Sequence, residues 1–447
     1  MPAVAKVSGS TTSLTGRQMV LAAVASVFGW GLDLFDLLIL LYVAPIIGRL
    51  FFPAGNPMLS LAATYASFAV TLLMRPLGSA IFGSYADRSG RRKALVVAVV
   101  GVGLTTAIFG ALPTVDAIGW IASLVFVFFR LVQGVFVGGV VASSHTIGTE
   151  SVPERWRGLM SGAVGGGGSA LGGLLASLVF YVVTLLAPGP ALAAWGWRLM
   201  FASGLLTTII GLVLFRSLEE SPIFAALQAK KAGARGSPLQ PDRSPLATLF
   251  SSAYRRVFLV NLLLTLGAGA GYYLTSGYLP SFFNMVNKVP GHEASVILIG
   301  ANLAAALGAL AVGELSEHIG RKAVFLVMGV IRLVAFPLLY LAMANAAGLG
   351  TLTVYALLLA FIANASYGHL LIFLNERFPT SLRATGTGLS WNVGFAIGGM
   401  MPAFVSLASE TAQELPTALA VFALGVSAIY LIGAWIAPET KGNLGRA

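Results

Sequence analysis

Asp33 and Asp36 stand one helical turn apart inside an apolar stretch of about 29 residues (19–47), and Arg130 stands inside another (118–148). A charge among lipid-soluble side chains is costly, so an acid or base in such a stretch marks a functional site by default. Asp33 falls ~14 residues into its stretch, about 21 Å along a helix that rises 1.5 Å per residue, and Arg130 falls at a comparable fraction of its own. Burial favours the protonated acid and a neighbouring cation the ionised one. A substrate carboxylate that engaged the arginine through both oxygens would displace an aspartate from it, and the aspartate could then take up a proton. A permanent ion pair holding two helices together is the other use of the same residues, but two acids against one arginine leave one acid over, which favours coupling.

Weaker candidates surround these three. Gln133 lies one turn from Arg130, while Asn261, Tyr272, Tyr273, Asn302, Asn364, Tyr367, His369, Trp391 and Asn392 place polar groups in later apolar stretches. Gln133, Tyr272, Asn364, His369 and Asn392 join Arg130 as candidate substrate contacts. Each could equally make a hydrogen bond between membrane helices. His145 reads as a packing histidine. The glycine run 165–168 with Gly172 and Gly173 lacks a phosphate-loop pattern and reads as a close helix contact. The chain has no cysteine, no metal spacing of histidines and carboxylates, no nucleophile elbow and no nucleotide loop. It is therefore not read as an enzyme, and no cofactor is expected.

The elements that must position these residues are membrane helices. Of 447 residues 57% are hydrophobic and only 10% charged, where soluble domains carry about a quarter charged; the mean hydropathy is +0.87. Apolar blocks long enough to cross a bilayer fall at 19–47, 59–84, 94–112, 118–148, 158–187, 197–216, 256–283, 294–314, 323–343, 350–375, 384–408 and 416–437. Arg49, Arg198 and Lys288 follow odd-numbered blocks, and Arg75, Arg130 and Arg332 lie inside blocks. The rest of the 27 Lys and Arg lie at the termini or after even-numbered blocks, which puts both termini in the cytoplasm. That distribution accounts for the net charge of +11 without nucleic acid. The polar stretch 217–255 divides the chain into six-helix halves, 1–216 and 256–447, and reads as a cytoplasmic linker.

Two motifs repeat across that division. Gly83-Ser-Tyr-Ala-Asp87-Arg88-Ser-Gly90-Arg91-Arg92-Lys93 returns 230 residues on as Gly313-Glu-Leu-Ser-Glu317-His318-Ile-Gly320-Arg321-Lys322, and Glu150-x-x-Pro153-x-x-x-Arg157 returns 226 residues on as Glu376-x-x-Pro379-x-x-x-Arg383. Two unrelated motifs at nearly one spacing imply parallel repeats with a cavity between them at the membrane midplane.

These motifs resemble those of the major facilitator superfamily over nearly the whole chain. Arg75-Pro76-Leu-Gly78, Arg130-x-x-Gln133-Gly134, Glu219-Glu220-Ser221-Pro222 and Glu376-Arg377-Phe378-Pro379 resemble the metabolite:proton symporters. Asp33-Leu-Phe-Asp36 is similar to the aromatic-acid and sialate/monocarboxylate symporters. The resemblance implies an all-α integral membrane fold of twelve helices in two six-helix halves, commonly monomeric, in the inner or plasma membrane. It implies that helices 1 and 4 line the cavity, so Asp33 and Asp36 (proton coupling) are expected near Arg130 (substrate carboxylate). It also implies a cytoplasmic gate formed by Asp87, Arg88, Arg91, Glu150, Arg157, Glu376 and Arg383, with Glu150–Arg157 and Glu376–Arg383 as charge pairs. Helix 9 is peripheral in that fold, so Arg332 reads as structural, snorkelling or pairing. The function implied is import of a small organic acid (mono-, aromatic or dicarboxylate) by proton symport, with protons, the solute and the lipid bilayer as partners. Transport of a neutral solute such as a sugar remains an alternative, because the Pro438-Glu439-Thr440-Lys441-Gly442 tail also resembles sugar porters. Transport of another ion and a non-transporting sensor are more remote.

Overall fold

The structure is a computed structural model that describes residues 16–89, 91–150, 152–216 and 249–445. Most of the linker, 217–248, lies outside the described residues, as do the side chains of Asp87, Arg88, Arg91, His145 and Glu150. Among the described residues every regular element is helical.

Ten segments are long and apolar enough to cross a membrane, and two further helices complete a bundle of twelve. In chain order they are α1 (Gly16–Tyr42, continued by Ala44–Phe51), α2 (Pro57–Ser89), α3 (Arg91–Ala111), α4 (Ile121–Glu150), α5 (Arg157–Ser161, Gly162–Gly167 and Gly168–Leu186) and α6 (Leu192–Gly196, Trp197–Ala202 and Gly204–Arg216). Then follow α7 (Ser252–Leu274 and Leu279–Met285), α8 (Gly291–Ile319), α9 (Arg321–Ala344), α10 (Leu349–Ala365 and Leu370–Glu376), α11 (Thr380–Gly398 and Met401–Leu407) and α12 (Leu415–Ile436). The two less apolar helices are α3, whose apolar part is only Val96–Ala111, and α11, which begins Thr-Ser-Leu-Arg-Ala-Thr-Gly-Thr. Much of α11 packs inside the bundle, against α7 and α2, and a helix with little lipid contact needs fewer apolar side chains. Apolar side chains that other helices leave uncovered, such as Val213, Leu307 and Leu338, suit a lipid surround. Trp120 and Trp435 are exposed at helix ends, where indole rings favour the membrane–water boundary.

The seam between α1–α6 and α7–α12 is built by α2 against α11, α5 against α8, and the second segments of α1 and α7 against each other. At the end of the bundle that carries the termini, α5 and α8 touch backbone to backbone. A Cβ on Gly158 would lie 2.3 Å from the Gly313 carbonyl oxygen, and one on Gly313 2.5 Å from that of Gly158, so only glycine permits the approach. Gly320, with φ +92°, makes the turn from α8 into α9.

Several helices are interrupted: α7 at Thr275–Tyr278 and α10 at Ser366–His369, both within spans long and apolar enough to cross a membrane, and α1 at Val43 and α11 at Gly399–Met400. Irregular backbone at membrane depth is tolerated only where protein or water satisfies it. Here side chains do so. The Tyr340 hydroxyl donates to the Leu274 carbonyl at 2.5 Å and the Tyr430 hydroxyl to that of Ser366.

Candidate functional site

Asp33 and Asp36 leave α1 about 60° apart, because three residues turn a helix through 300°, and they meet different neighbours. Asp33 Oδ2 accepts from Arg75 Nη2 of α2 at 3.1 Å in a fully buried ion pair. Asp36 accepts from the Thr207 hydroxyl of α6 at 3.1 Å and has Thr106 of α3 as a second side-chain partner. Arg130, expected beside these acids, forms no ion pair among the described residues. Its Nη1 donates to Gln133 Oε1 at 2.7 Å, and its guanidinium lies over the Phe109 and Phe126 rings at 4.3 and 5.3 Å. Gln133 Nε2 donates to the Thr106 hydroxyl at 2.8 Å. Arg130 is thus joined to Asp36 only through two intervening side chains. The cause is the direction in which each helix projects its residue: α2 passes the Asp33 face, and ring faces receive the cation of α4 in place of a carboxylate.

Beside the Asp33–Arg75 pair the seam is filled with aromatic rings from both halves. The Arg75 guanidinium lies 5.7 Å from the Trp30 ring. Trp30 meets Trp391 edge-on at 5.8 Å, and Trp391 stacks on Phe395 at 4.4 Å. Tyr367 touches Tyr272, Trp391 and Phe395, and Tyr273 touches Tyr272, Phe395 and Phe68. The Tyr367 hydroxyl donates to Asn364 Oδ1 at 2.5 Å. All these rings are buried. Two of the expected contacts, Tyr272 and Asn364, therefore lie in or beside this cluster. Asn392 is buried on α11 with its Oδ1 unbonded among the described residues. His369 is turned the other way: its ring lies 4.0 Å from Phe325 of α9, with neither nitrogen hydrogen-bonded among the described residues. It belongs to the interior of the second half, not to the central rings.

The family model for the Major Facilitator Superfamily matches residues 19–400. The chain belongs to the Major Facilitator Superfamily. Similar proteins include the glycine betaine/proline/ectoine/pipecolic acid transporter OusA of Dickeya dadantii, 29% identical over 401 residues that cover 88% of this chain and 78% of that protein. The inner membrane metabolite transport protein YhjE of Escherichia coli is 28% identical, with 96% of each chain covered. Among solved structures, the proton:xylose symporter XylE bound to 6-bromo-6-deoxy-D-glucose superposes with a TM-score of 0.74 at 18% identity, over 96% of this chain and 98% of that one. These relatives are transporters, and none of them is an enzyme.

This superfamily member is closed at both ends of its seam. At the end away from the termini Tyr65 stacks on Tyr278 at 5.0 Å and donates to Ser281 Oγ at 2.9 Å. Asn302 of α8 donates to Ser177 Oγ of α5 at 3.1 Å and to the Tyr42 hydroxyl at 3.3 Å. At the terminus end Asn375 Nδ2 donates to Thr149 Oγ1 at 2.9 Å, and the Gly158 N–H donates to Glu317 Oε1 at 2.5 Å. A cleft of about 570 Å³ opens there, lined by Glu154, Arg157, Glu317, Arg321, Glu376 and Lys441 among others.

The expected Glu376–Arg383 pair is not formed. Glu376 pairs with Arg321 at 3.3 Å and accepts from Thr440 Oγ1 at 2.8 Å, because α9 starts beside the end of α10. Arg383 donates to the carbonyls of Asn375 and Leu444. Arg321 also pairs with Glu317 at 2.7 Å. Glu439 accepts from the backbone N–H groups of Arg321 and Lys322 at 2.9 and 3.0 Å, tying the C-terminal tail to the first turn of α9. Burial pushes this carboxyl up, but N–H donors from Lys441, Arg321, Lys322 and Thr440 outweigh it and hold it below the usual carboxylate range. Arg157 lines the cleft with its Nε unbonded among the described residues. Its expected partner Glu150, and Asp87, Arg88 and Arg91, have side chains outside the described set.

Arg332 is fully buried rather than snorkelling. It donates to the Gly267 carbonyl at 2.6 Å and to Ser427 Oγ at 3.3 Å, and it lies over the Tyr430 ring at 4.5 Å. It ties α9 to α7 and α12, in keeping with a structural role.

The sequence reading missed Arg75 as the partner of Asp33, Arg321 as the hub of the latch, and the aromatic cluster as a unit. Arg75 could have been found, since it was one of three cations within spans. The cluster could not, because its rings come from α1, α2, α7, α10 and α11.

Proposed function

We propose that this protein imports a small solute carrying both a carboxylate and an ammonium group, by proton symport and alternating access, with both termini in the cytoplasm. The observation that carries the reading is the buried aromatic cluster of Trp30, Tyr272, Tyr273, Tyr367, Trp391 and Phe395 beside the Asp33–Arg75 ion pair. Ring faces attract a desolvated organic cation by about 2 kcal/mol, and an arginine engages a carboxylate through two donors. A zwitterion needs both within one small volume. The names of the similar proteins, which include betaine and proline transporters, support that class. The solute carboxylate takes Arg75 from Asp33, the freed acid accepts a proton, and the loaded site crosses with one net positive charge, that of the proton. Asp36 is the second proton-coupling candidate. An organic acid lacking a cation is the second reading, favoured by Arg75 itself, which needs only a carboxylate partner.

Purified protein in liposomes tests this through external pH. Addition of glycine betaine or proline is expected to alkalinise the medium, and empty liposomes give no change. Alkalinisation by benzoate or succinate but by no zwitterion moves the assignment to the second reading. A response to xylose alone overturns both.

A further inference from the structure

Helix α10 breaks where a hydroxyl from the other half of the molecule enters it. The Ile372 N–H and the Gly368 carbonyl stand four residues apart, the pair that a continuous α-helix bonds directly. In this structure Ile372 N–H donates to Ser161 Oγ at 3.1 Å, and the Ser161 hydroxyl donates to the Gly368 carbonyl at 2.8 Å. A side chain inserted into the helical ladder is an established cause of a helix break. Ser161 is fully buried and belongs to α5, so this inserted group arrives across the seam. It is held there by close packing: a Cβ on Gly162 or on Gly368 would each lie 2.4 Å from the Ala309 carbonyl oxygen.

The same break carries Tyr367, whose ring meets Tyr272, Trp391 and Phe395. What opens the Gly368–Ile372 turn therefore also places a ring of the central cluster. We propose that Ser161 is a positioning residue that couples the terminus-side gate to that cluster. With the gate closed, its hydroxyl holds the turn open and sets Tyr367 among the other rings. When the halves part at this end Ser161 withdraws, Ile372 N–H bonds Gly368 directly, α10 straightens and Tyr367 turns away. Release of solute and opening of the gate become one movement. This deepens the proposed solute site and rests on it for the role of Tyr367, but the gate contact stands whatever the solute is.

The chain has no cysteine, so Arg155→Cys and His318→Cys give a unique pair of spin-label sites, exposed on opposite halves at this end. Pulsed electron–electron distance measurements are made on the full-length labelled protein without solute. Ser161→Ala removes both bonds across the seam and is expected to raise the ratio of long to short distances roughly tenfold. Ser161→Thr keeps the hydroxyl and is expected to keep the parent distribution. A distribution unchanged by Ser161→Ala, or lengthened equally in both variants, overturns the gate contact. In liposomes Ser161→Ala is expected to raise the external KM for glycine betaine several-fold, through Tyr367. A lengthened distance with an unchanged KM overturns the coupling to the cluster and leaves the gate. If the parent protein moves no zwitterion, it is the solute assignment that fails, and the distance arm still decides the gate.

Discussion

Asp33→Asn is the sharpest perturbation available to the proposed coupling. Both members of the Asp33–Arg75 pair are almost wholly shielded, at 0 and 2% side-chain exposure. The substitution therefore removes the counter-charge of a buried guanidinium that also lies 5.7 Å from the Trp30 ring. Removing one member of a buried pair costs about 3–5 kcal/mol, and the Trp30 contact, present with or without the acid, recovers none of it, so a loss of that size is expected. Arg75→Met alone leaves an orphaned acid, whereas Asp33→Asn combined with Arg75→Met removes both charges and should be less destabilised than the two single losses added together. The functional consequence is separable from this. One proton per solute moving down a one-unit pH gradient supplies about 1.4 kcal/mol, enough for roughly tenfold accumulation. Asp33→Asn should abolish accumulation, bringing the internal-to-external ratio to about 1, while solute exchange across preloaded liposomes persists. Retention of tenfold accumulation by correctly inserted Asp33→Asn protein would refute the assignment of coupling to this pair and direct attention to Asp36.

Trp391→Leu removes a ring that meets Trp30, Tyr367 and Phe395 and should raise KM for a zwitterion about tenfold, since a lost cation–π contact is worth about 1–2 kcal/mol; radiolabelled uptake reads this, and an unchanged KM argues against the cluster as the ammonium site. Arg332→Met should lower thermal stability by about 1–3 kcal/mol by orphaning the Gly267 carbonyl and Ser427, yet leave KM within twofold, as followed by thermal unfolding in detergent alongside uptake. Glu439 is held below its usual range by backbone donors, so its clamp on α9 is fully present above the ordinary carboxylate pKa and is lost only as pH falls through the depressed value. Limited proteolysis of the tail should accordingly stay slow at pH 5 in the parent protein and be faster in Glu439→Gln at pH 5 and above; equal rates there would show that the tail is held by other contacts.

The twelve-helix bundle was legible in the sequence because bilayer crossing imposes one length and one composition on each span, and the recurrence of two motifs pointed to a repeated architecture. α3 and α11 show the limit of that signal, since a helix shielded by others needs fewer apolar side chains. Site residues were legible as types but not as partners. That Asp33 had to meet a cation followed from its depth. That the cation is Arg75 and not Arg130 depends on which face of α1 looks toward α2, and periodicity within one helix does not fix the rotation of its neighbour. Likewise Glu376 turned from the expected Arg383, seven residues along its own motif, to Arg321, which reaches it from another helix.

The hydrogen bond between Asn375 and Thr149 spans 226 residues, the same interval that separates Glu376 from Glu150. The two residues are therefore copies of one position, and each meets its own counterpart. In a molecule made of two parallel repeats such a position lies on the axis relating them, where a symmetric ancestor would oppose identical side chains. Like residues on an axis face a constraint that no other position has, because every change is made twice and against itself. Once the halves are free to differ, that constraint lifts. The Thr387 hydroxyl donates to Asn375 Oδ1, so the amide turns its N–H toward Thr149, giving the contact a direction that two identical groups lack.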